Sequence, residues 1–411
     1  MSITYNFGTR GSLKNVLENF FNLNLEYHPF YIGNVRINNP LISAPMAGIS
    51  DNTYRIFVKV FGSSLAYSEM IASYGIVNGN KKTIDLAFIT DFERPVAIQL
   101  FGSDPDILAA SAQIVEEQAD IIDINMGCPI PKVLKTGSGG SLLREPELVK
   151  KIVKRVRGSI KKPLTIKLRL GWDINSINIL EISKIVENEG ADAIAIHGRT
   201  VKQGYSGYAD YEYIKKVKEA VKIPVISSGD INSTSQVIKV MDYTKCDGVM
   251  IGRAARGNPW IFAIILLGLF LNKFTDVNLN KYDYNKYCHD KEYNVVNSYD
   301  YKNCLVKDVK TDKNSFNEIT AKNTKCLKDF EKRIDLFKNN TIKAELLILY
   351  LKMLIIFKGE ERAIKQFRKI LGWAFKGDVK ISKEISNLKN CFFKINSFSE
   401  AESLLKRIGG M

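Results

Sequence analysis

Histidine is scarce in this chain, with three in 411 residues, and its six cysteines are scattered without paired spacing. Cys288, Cys304 and Cys326 lie too far apart for a zinc ribbon, so no structural zinc module organises the fold. Unpaired cysteines fit a reduced protein better than a disulfide framework. The N-terminus lacks the charged-then-apolar pattern of a secretory signal. The most apolar run, Ile261–Leu271, is too short to span a bilayer and reads as a buried helix. No Gly-x-Gly-x-x-Gly follows the first candidate strand, which leaves a Rossmann dinucleotide site unsupported. These absences lead to the expectation of a cytoplasmic protein with no membrane association and no obligate protein partner.

Hydrophobic residues make up 45% and charged residues 25%, ordinary for a globular chain with a core to bury. The length allows one large domain and a smaller one. The net charge of +15 is uneven. Residues 1–272 carry 31 Lys and Arg against 26 Asp and Glu, whereas residues 341–411 carry 14 against 7. The C-terminal stretch is therefore the most basic for its length. Such a surface either attracts a polyanion such as nucleic acid or is a solvated lysine-rich face.

Short apolar runs alternate with helix-like segments. Candidate strands are Leu41–Ala44, Leu65–Ser68, Val96–Phe101, Ile121–Asn125, Leu164–Leu168, Ala193–His197, Val225–Ser228 and Gly248–Ile251. Candidate helices between them include Asp106–Gln118, Glu145–Val156, Ile179–Asn188 and Asp210–Val221. Repeated βα units of this kind predict an α/β fold, a TIM (β/α)8 barrel of about 250 residues. A doubly wound open sheet is the alternative. Phe30–Gly33 and Val35–Ile37 read as a hairpin closing the barrel bottom. Residues 1–30 read as an N-terminal extension, 31–272 as the barrel and 273–340 as an insertion rich in Lys, Asn and Tyr with the composition of a mobile loop. Residues 341–411 read as a small all-helical domain, helical over Thr341–Phe375 and again over Ser397–Ile408, with Ser399 as the N-cap.

The residues that carry chemistry fall at strand ends. Cys128, in Asp123-Ile124-Asn125-Met126-Gly127-Cys128-Pro129, follows an apolar strand on a tight turn, the place where parallel α/β enzymes hold their reactive groups. No basic neighbour in sequence strips its proton, which suits a proton donor better than a nucleophile. A buried structural cysteine is the competing reading. Pro45, Met46 and Ala47 follow strand one and either let a flat ring approach or form a plain turn. Gln99 is a polar side chain on an apolar strand and needs a partner if buried. Lys167 alternates with Ile166 and Leu168, and a lysine inside a barrel strand requires an anion or an electron-rich ring. His197 ends strand six. Ser228, Gly229 and Asp230 end strand seven, and Gly252 and Arg253 end strand eight, where this fold binds phosphate. Together they indicate a phosphate-bearing cofactor over the mouth with the thiol nearby.

The segments Ala44–Asp51, Gln99–Gly102, Asp123–Pro129, Lys167–Trp172, His197–Thr200, Gly229–Ile231 and Met250–Phe262 occur together in the order and spacing of a known family. Over about residues 30–272 the chain resembles the tRNA-dihydrouridine synthases, specifically their bacterial B-type branch. The resemblance implies an FMN-dependent oxidoreductase that uses NADPH or NADH to reduce the uracil 5,6 double bond in tRNA. It implies a hydride to C6 and a proton from Cys128 to C5. It assigns Pro45, Met46, Ala47, Gln99, Lys167, His197, Ser228, Gly229, Asp230, Gly252 and Arg253 to FMN, Asn125 and Arg199 to the uracil, and the C-terminal helical domain to tRNA. Ser228 stands where the family usually has Asn, and Pro131 where Lys is common. The insertion is not a usual family feature. Another FMN barrel acting on a small molecule, or a non-catalytic tRNA-binding protein, are the rival readings.

Overall fold

The structure is a computed structural model, which describes residues 27–275, 340–374 and 391–410. A hairpin comes first, β1 (Phe30–Ile32) paired antiparallel with β2 (Val35–Ile37). Eight parallel strands follow: β3 (Leu41–Ser43), β4 (Leu65–Ala72), β5 (Val96–Phe101), β6 (Ile121–Met126), β7 (Leu164–Arg169), β8 (Ala193–His197), β9 (Val225–Ser228) and β10 (Gly248–Ile251). They pair in chain order, and β10 returns to pair with β3, closing the barrel. That last ladder excludes the open doubly wound sheet. All eight strands expected from the apolar runs are present, with ends differing by a few residues. β4 runs on to Ala72, beyond the expected Ser68, through a register shift between Tyr67 and Met70.

Strand side chains alternate between two environments. Ile42, Leu65, Tyr67, Ala97, Ile121, Ala193, Ala195, Ile226 and Met250 pack together inside the barrel, with Ile32 and Ile37 of the hairpin against the same cluster. The hairpin thus covers the barrel bottom, as the sequence predicts. The opposite parity, among them Ile98, Leu100, Ile122, Ile124, Ile166, Leu168 and Ile196, packs against helix residues such as Leu108, Ile152, Ile182 and Val217. Both faces are dry, which is why the runs read as continuously apolar.

Helix ends follow local chemistry. The Asp104 carboxylate accepts from the N–H groups of Asp106 and Ile107 and caps helix Pro105–Val115, with Pro105 in its first turn. Helix Ile179–Asn188 stops before Gly190, whose φ is +94°. Helix Ile261–Thr275 contains the long apolar run, with Phe262, Ile265 and Leu267 buried. Among the described residues no helix is long and apolar enough to cross a membrane.

The described residues divide into two compact units, one of residues 27–255 with 259–266, the other of residues 256–258, 267–275, 340–374 and 391–410. In the second unit, helix Asn340–Lys358 packs against helix Phe398–Gly409, burying Leu347, Leu351 and Leu354 on one and Ala401, Leu405 and Ile408 on the other. The helical stretch expected over Thr341–Phe375 is broken into two helices, the second being Glu360–Ala374, by Gly359 at φ +75°. The cap of the last helix is Ser397, not Ser399. Its hydroxyl accepts from the N–H of Glu400 at 3.3 Å, the reach of a residue just outside the first turn, whereas Ser399 lies inside it. Residues 1–26 of the expected extension and 276–339 of the expected insertion, with Cys288, Cys304 and Cys326, lie outside the described residues.

The loop after β3 is pegged from below. Arg55 and Glu93, 1% and 0% exposed, form an ion pair at 2.6 Å. Arg55 also donates to the carbonyls of Ser50 and Phe88, and Glu93 accepts from Asn52 and Thr90. Ser50 in turn accepts from the Met46 N–H and donates to the Ala44 carbonyl. Removing one member of such a pair leaves a charge buried without compensation. Glu93→Ala is expected to destabilise the protein by about 3–5 kcal/mol, read as a lower urea midpoint at unchanged slope.

Candidate active site

The carboxyl ends of the strands collect the polar residues that share the interior parity. Ladder register makes neighbours of residues distant in sequence: Gln99 opposite Asp123, Asn125 opposite Lys167, Arg169 opposite His197, and His197 opposite Ser228. Cys128 lies two residues beyond β6 and is 8% exposed.

The Cys128 turn is held by hydrogen bonds from both sides. Asn125 Oδ1 accepts from the N–H of Gly127 at 3.1 Å and of Cys128 at 2.9 Å. The Cys128 carbonyl accepts from the N–H of Gly140 at 3.0 Å. Burial pushes the thiol above its ordinary range, and the nearby Arg169 and Lys167 charges only partly oppose this. Sequence proximity offers the thiol no cation, but the β6–β7 register supplies two. Desolvation still outweighs them, so the sulfur is protonated at neutral pH.

Lys167 is partly buried, and burial followed by the Arg169 charge lowers its pKa to about 8. Asp123 is fully buried, and desolvation lifts its carboxyl to about 7 against the bonds from Thr165 and Gln99 and the Lys167 charge. Gln99 donates through Nε2 to Asp123 at 2.6 Å and accepts through Oε1 from Asn125 at 2.8 Å, so its amide is engaged inside the barrel wall.

His197 is held neutral, first by burial and then by four surrounding guanidinium and ammonium charges, Arg169, Lys167, Arg199 and Arg253. Its Nε2 lies 3.2 Å from Arg199 Nη1. Because a guanidinium only donates, Nε2 is the acceptor and the ring proton sits on Nδ1. Gly229, at φ +118°, passes so close that a Cβ there would lie 2.8 Å from Ala209 Cβ and 3.0 Å from His197 Cδ2.

Asp230 is a hub. Its carboxylate accepts from Arg199 Nη2 at 2.7 Å, Arg253 Nη2 at 2.7 Å and the Ala209 N–H at 2.8 Å. Arg199, expected beside a substrate base, is 1% exposed and spends its remaining contacts on His197 and the carbonyls of Ser206 and Gly207. It braces the loop after β8. Burial is affordable for this guanidinium because nearly every donor has an acceptor. Arg253 is partly exposed beside Asp230, 4.8 Å from the centre of the Tyr205 ring. Pro45 and Met46 are partly buried and Ala47 exposed on the turn after β3. A Cβ on Gly252 would meet Ala44 and the Met46 sulfur at 3.4 and 4.0 Å, so this turn and the end of β10 adjoin. Ser228 is buried at 7%.

Three residues of the mouth escaped the sequence reading. Arg169 stands two residues after Lys167 on the same parity, a signal that alternation carries. It is 2% exposed and donates to the carbonyls of Thr200 and Gly204. Asp123 stands two before Asn125 and poses the same burial problem as Lys167. Tyr205 lies on a loop with no periodicity to reveal it. Its exposed ring is bracketed by Arg169 and Arg253, 5.6 and 4.8 Å from the centroid.

Fold and mouth define a parallel (β/α)8 barrel with a cluster of polar side chains at the carboxyl ends of its strands. The family model for dihydrouridine synthase (Dus) matches residues 42–346, and the chain belongs to that family. It is 44% identical over 236 residues to tRNA-dihydrouridine synthase B of Pasteurella multocida (strain Pm70), covering 57% of this chain and 71% of the relative. It is 41% identical over 236 residues to the probable tRNA-dihydrouridine synthase of Rickettsia bellii (strain RML369-C), covering 57% and 72%. It is 43% identical over 233 residues to tRNA-dihydrouridine synthase B of Vibrio vulnificus (strain CMCP6), covering 56% and 72%. These relatives align it with the bacterial B-type branch.

Gly229→Ala forces a Cβ into the His197 edge at a backbone angle that favours glycine. It is expected to lower stability by about 1–3 kcal/mol, measured by thermal unfolding against the wild-type chain.

Proposed function

We propose that the chain is a tRNA-dihydrouridine synthase that binds FMN at the barrel mouth and uses NADPH or NADH to reduce the C5–C6 double bond of particular uridines in tRNA. The observation that carries this reading is a buried thiol, Cys128, whose turn is held by Asn125 near the charges of Lys167 and Arg169, in a chain of the dihydrouridine synthase family.

The residues present fit the cofactor. Lys167 is a cation on the inner wall, and among the described residues it forms no ion pair; the electron-rich edge of a flavin ring is the partner it lacks. His197 carries its proton on Nδ1 and is a neutral donor. Gly229 lets the backbone run tight against His197, and the backbone at Gly252 lies beside Ala44 and Met46. Arg253, at the fold's phosphate position, is suited to the phosphate. Pro45, Met46 and Ala47 form one edge of the cradle, while Gln99, Ser228 and Asp230 support it from the wall.

When bound and reduced, a flavin held by these residues would supply the hydride equivalent that uracil C6 requires. Cys128 Sγ gives its proton to C5, keeps the electron pair as a thiolate, and recovers a proton from water. Burial keeps the proton on sulfur beforehand; the adjacent Lys167 and Arg169 charges limit the cost of the thiolate afterwards. Asn125 donates one amide hydrogen to Gln99 and keeps the other, which would serve the base. The base reaches this site only after leaving its stack, at a cost of about a few kcal/mol. Phosphate contacts from the basic residues 341–411 offset that cost.

Incubated with unmodified tRNA and NADPH, the flavin-loaded protein is expected to form dihydrouridine, measured by nucleoside mass spectrometry. Cys128→Ala should retain the flavin spectrum while dihydrouridine formation falls by about 10²–10⁴-fold. Unchanged turnover refutes the proton-donor role. Lys167 is charged below and neutral above about pH 8. Flavin affinity should therefore weaken as pH rises through that value, and Lys167→Met should remove this dependence, read by fluorescence titration.

A further inference from the structure

We infer that Asp123 is a positioning residue for Cys128, acting as the terminal acceptor of a buried amide relay, Asp123–Gln99–Asn125, that orients the turn carrying the thiol. The inference rests on the reading of Cys128 as proton donor and adds a residue remote from the thiol to its function.

The polarity of the relay is set from its far end. The backbone N–H groups of Gly127 and Cys128 only donate, so Asn125 must turn Oδ1 toward them. That leaves Asn125 Nδ2 pointing at Gln99, 2.8 Å from Oε1. Gln99 must then direct Nε2 outward, where it meets Asp123 Oδ2 at 2.6 Å. Asp123 Oδ1 is occupied separately by the Thr165 hydroxyl at 2.6 Å. Each amide has one permitted orientation, and the chain closes only on an acceptor at position 123.

The relay is dry. Asp123 and Gln99 are 0% exposed and Asn125 is 7% exposed. With little water available to substitute, a lost partner leaves an amide hydrogen unsatisfied in the barrel interior. One alternative orientation exists, with both amides flipped. It would put Asn125 Nδ2 against two N–H groups and drive the turn open. What the relay needs from residue 123 is a lone pair, not a charge. A carboxyl titrating near neutrality keeps that lone pair toward Gln99 in either form, because its proton can sit on the oxygen facing Thr165.

This separates two substitutions of similar size. Asparagine at 123 offers Oδ1 to Gln99 and Nδ2 to the Thr165 hydroxyl and preserves the polarity. Leucine offers neither. The test uses full-length wild type, Asp123→Asn, Asp123→Leu and Gln99→Met. Gln99→Met cuts the relay with a side chain of similar length and serves if Asp123→Leu does not fold. Alkylation of Cys128 by iodoacetamide is followed peptide by peptide with mass spectrometry, which needs no catalytic activity. Steady-state kinetics with tRNA supply kcat and KM. Asp123→Asn should alkylate and turn over within about threefold of wild type, whereas Asp123→Leu and Gln99→Met should alkylate at least about tenfold faster and lose at least about tenfold in kcat, with KM for tRNA within about threefold. Asparagine as damaging as leucine would mean that charge, not acceptor polarity, is required, and would overturn the inference. Wild-type alkylation in both Asp123→Leu and Gln99→Met would overturn it equally. If wild type forms no dihydrouridine, the proposed reaction fails, and the alkylation series still decides whether Asp123 positions the thiol.

Discussion

Closure of the barrel in register is the constraint on which the site depends. Interior side chains of adjacent parallel strands stand side by side at each rung. The rungs at the carboxyl ends therefore convert residues 24 to 42 positions apart, such as Gln99 with Asp123 and Asn125 with Lys167, into neighbours. The lower rungs, filled by Leu65, Ile121, Ala193 and Ile226, are apolar. They provide the dry floor that makes each polar contact above them strong and each unpaired group costly.

That low-dielectric setting governs the electrostatics of the mouth. Burial keeps the His197 imidazole neutral, and four surrounding cations, Lys167, Arg169, Arg199 and Arg253, reinforce it. Among the described residues, Arg199 and Arg253 pair with the shared Asp230, and Lys167 feels the buried Asp123 carboxyl without an ion pair. The excess positive potential over the mouth is complementary to anionic groups. Cys128 experiences the same field, yet its burial dominates and leaves the proton in place. Acid strength here is a balance between desolvation and neighbouring charge, and the turn geometry sets both.

Much of the architecture was legible because its signals are local. Eight apolar runs at βα spacing identified the strands, since strands buried on both faces must be apolar throughout. Lys167 and Gln99 stood out as polar residues inside such runs. The same logic applies to Asp123 and Arg169, whose parity matches theirs, yet neither was singled out. Arg199 marks the opposite limit. The resemblance assigns it to the uracil, but nothing near it in sequence shows that Asp230, 31 residues away, accepts from its guanidinium. Tyr205 had no pattern to reveal it, because an aromatic in an irregular loop gains its meaning from the arginines folded around it. Gly359 and Ser397 show that helix ends depend on single residues whose backbone angles and cap distances periodicity does not encode.

The sequence by itself determined the barrel, the parity that sorts polar from apolar side chains, and the thiol on a strand-end turn, because period-two alternation and turn chemistry act over a few residues. Only the tertiary structure decided which polar groups are spent on one another and which remain for a ligand. Hydrogen-bond partners and desolvation are properties of what the closing ladder brings together, and no stretch of neighbouring residues contains that information.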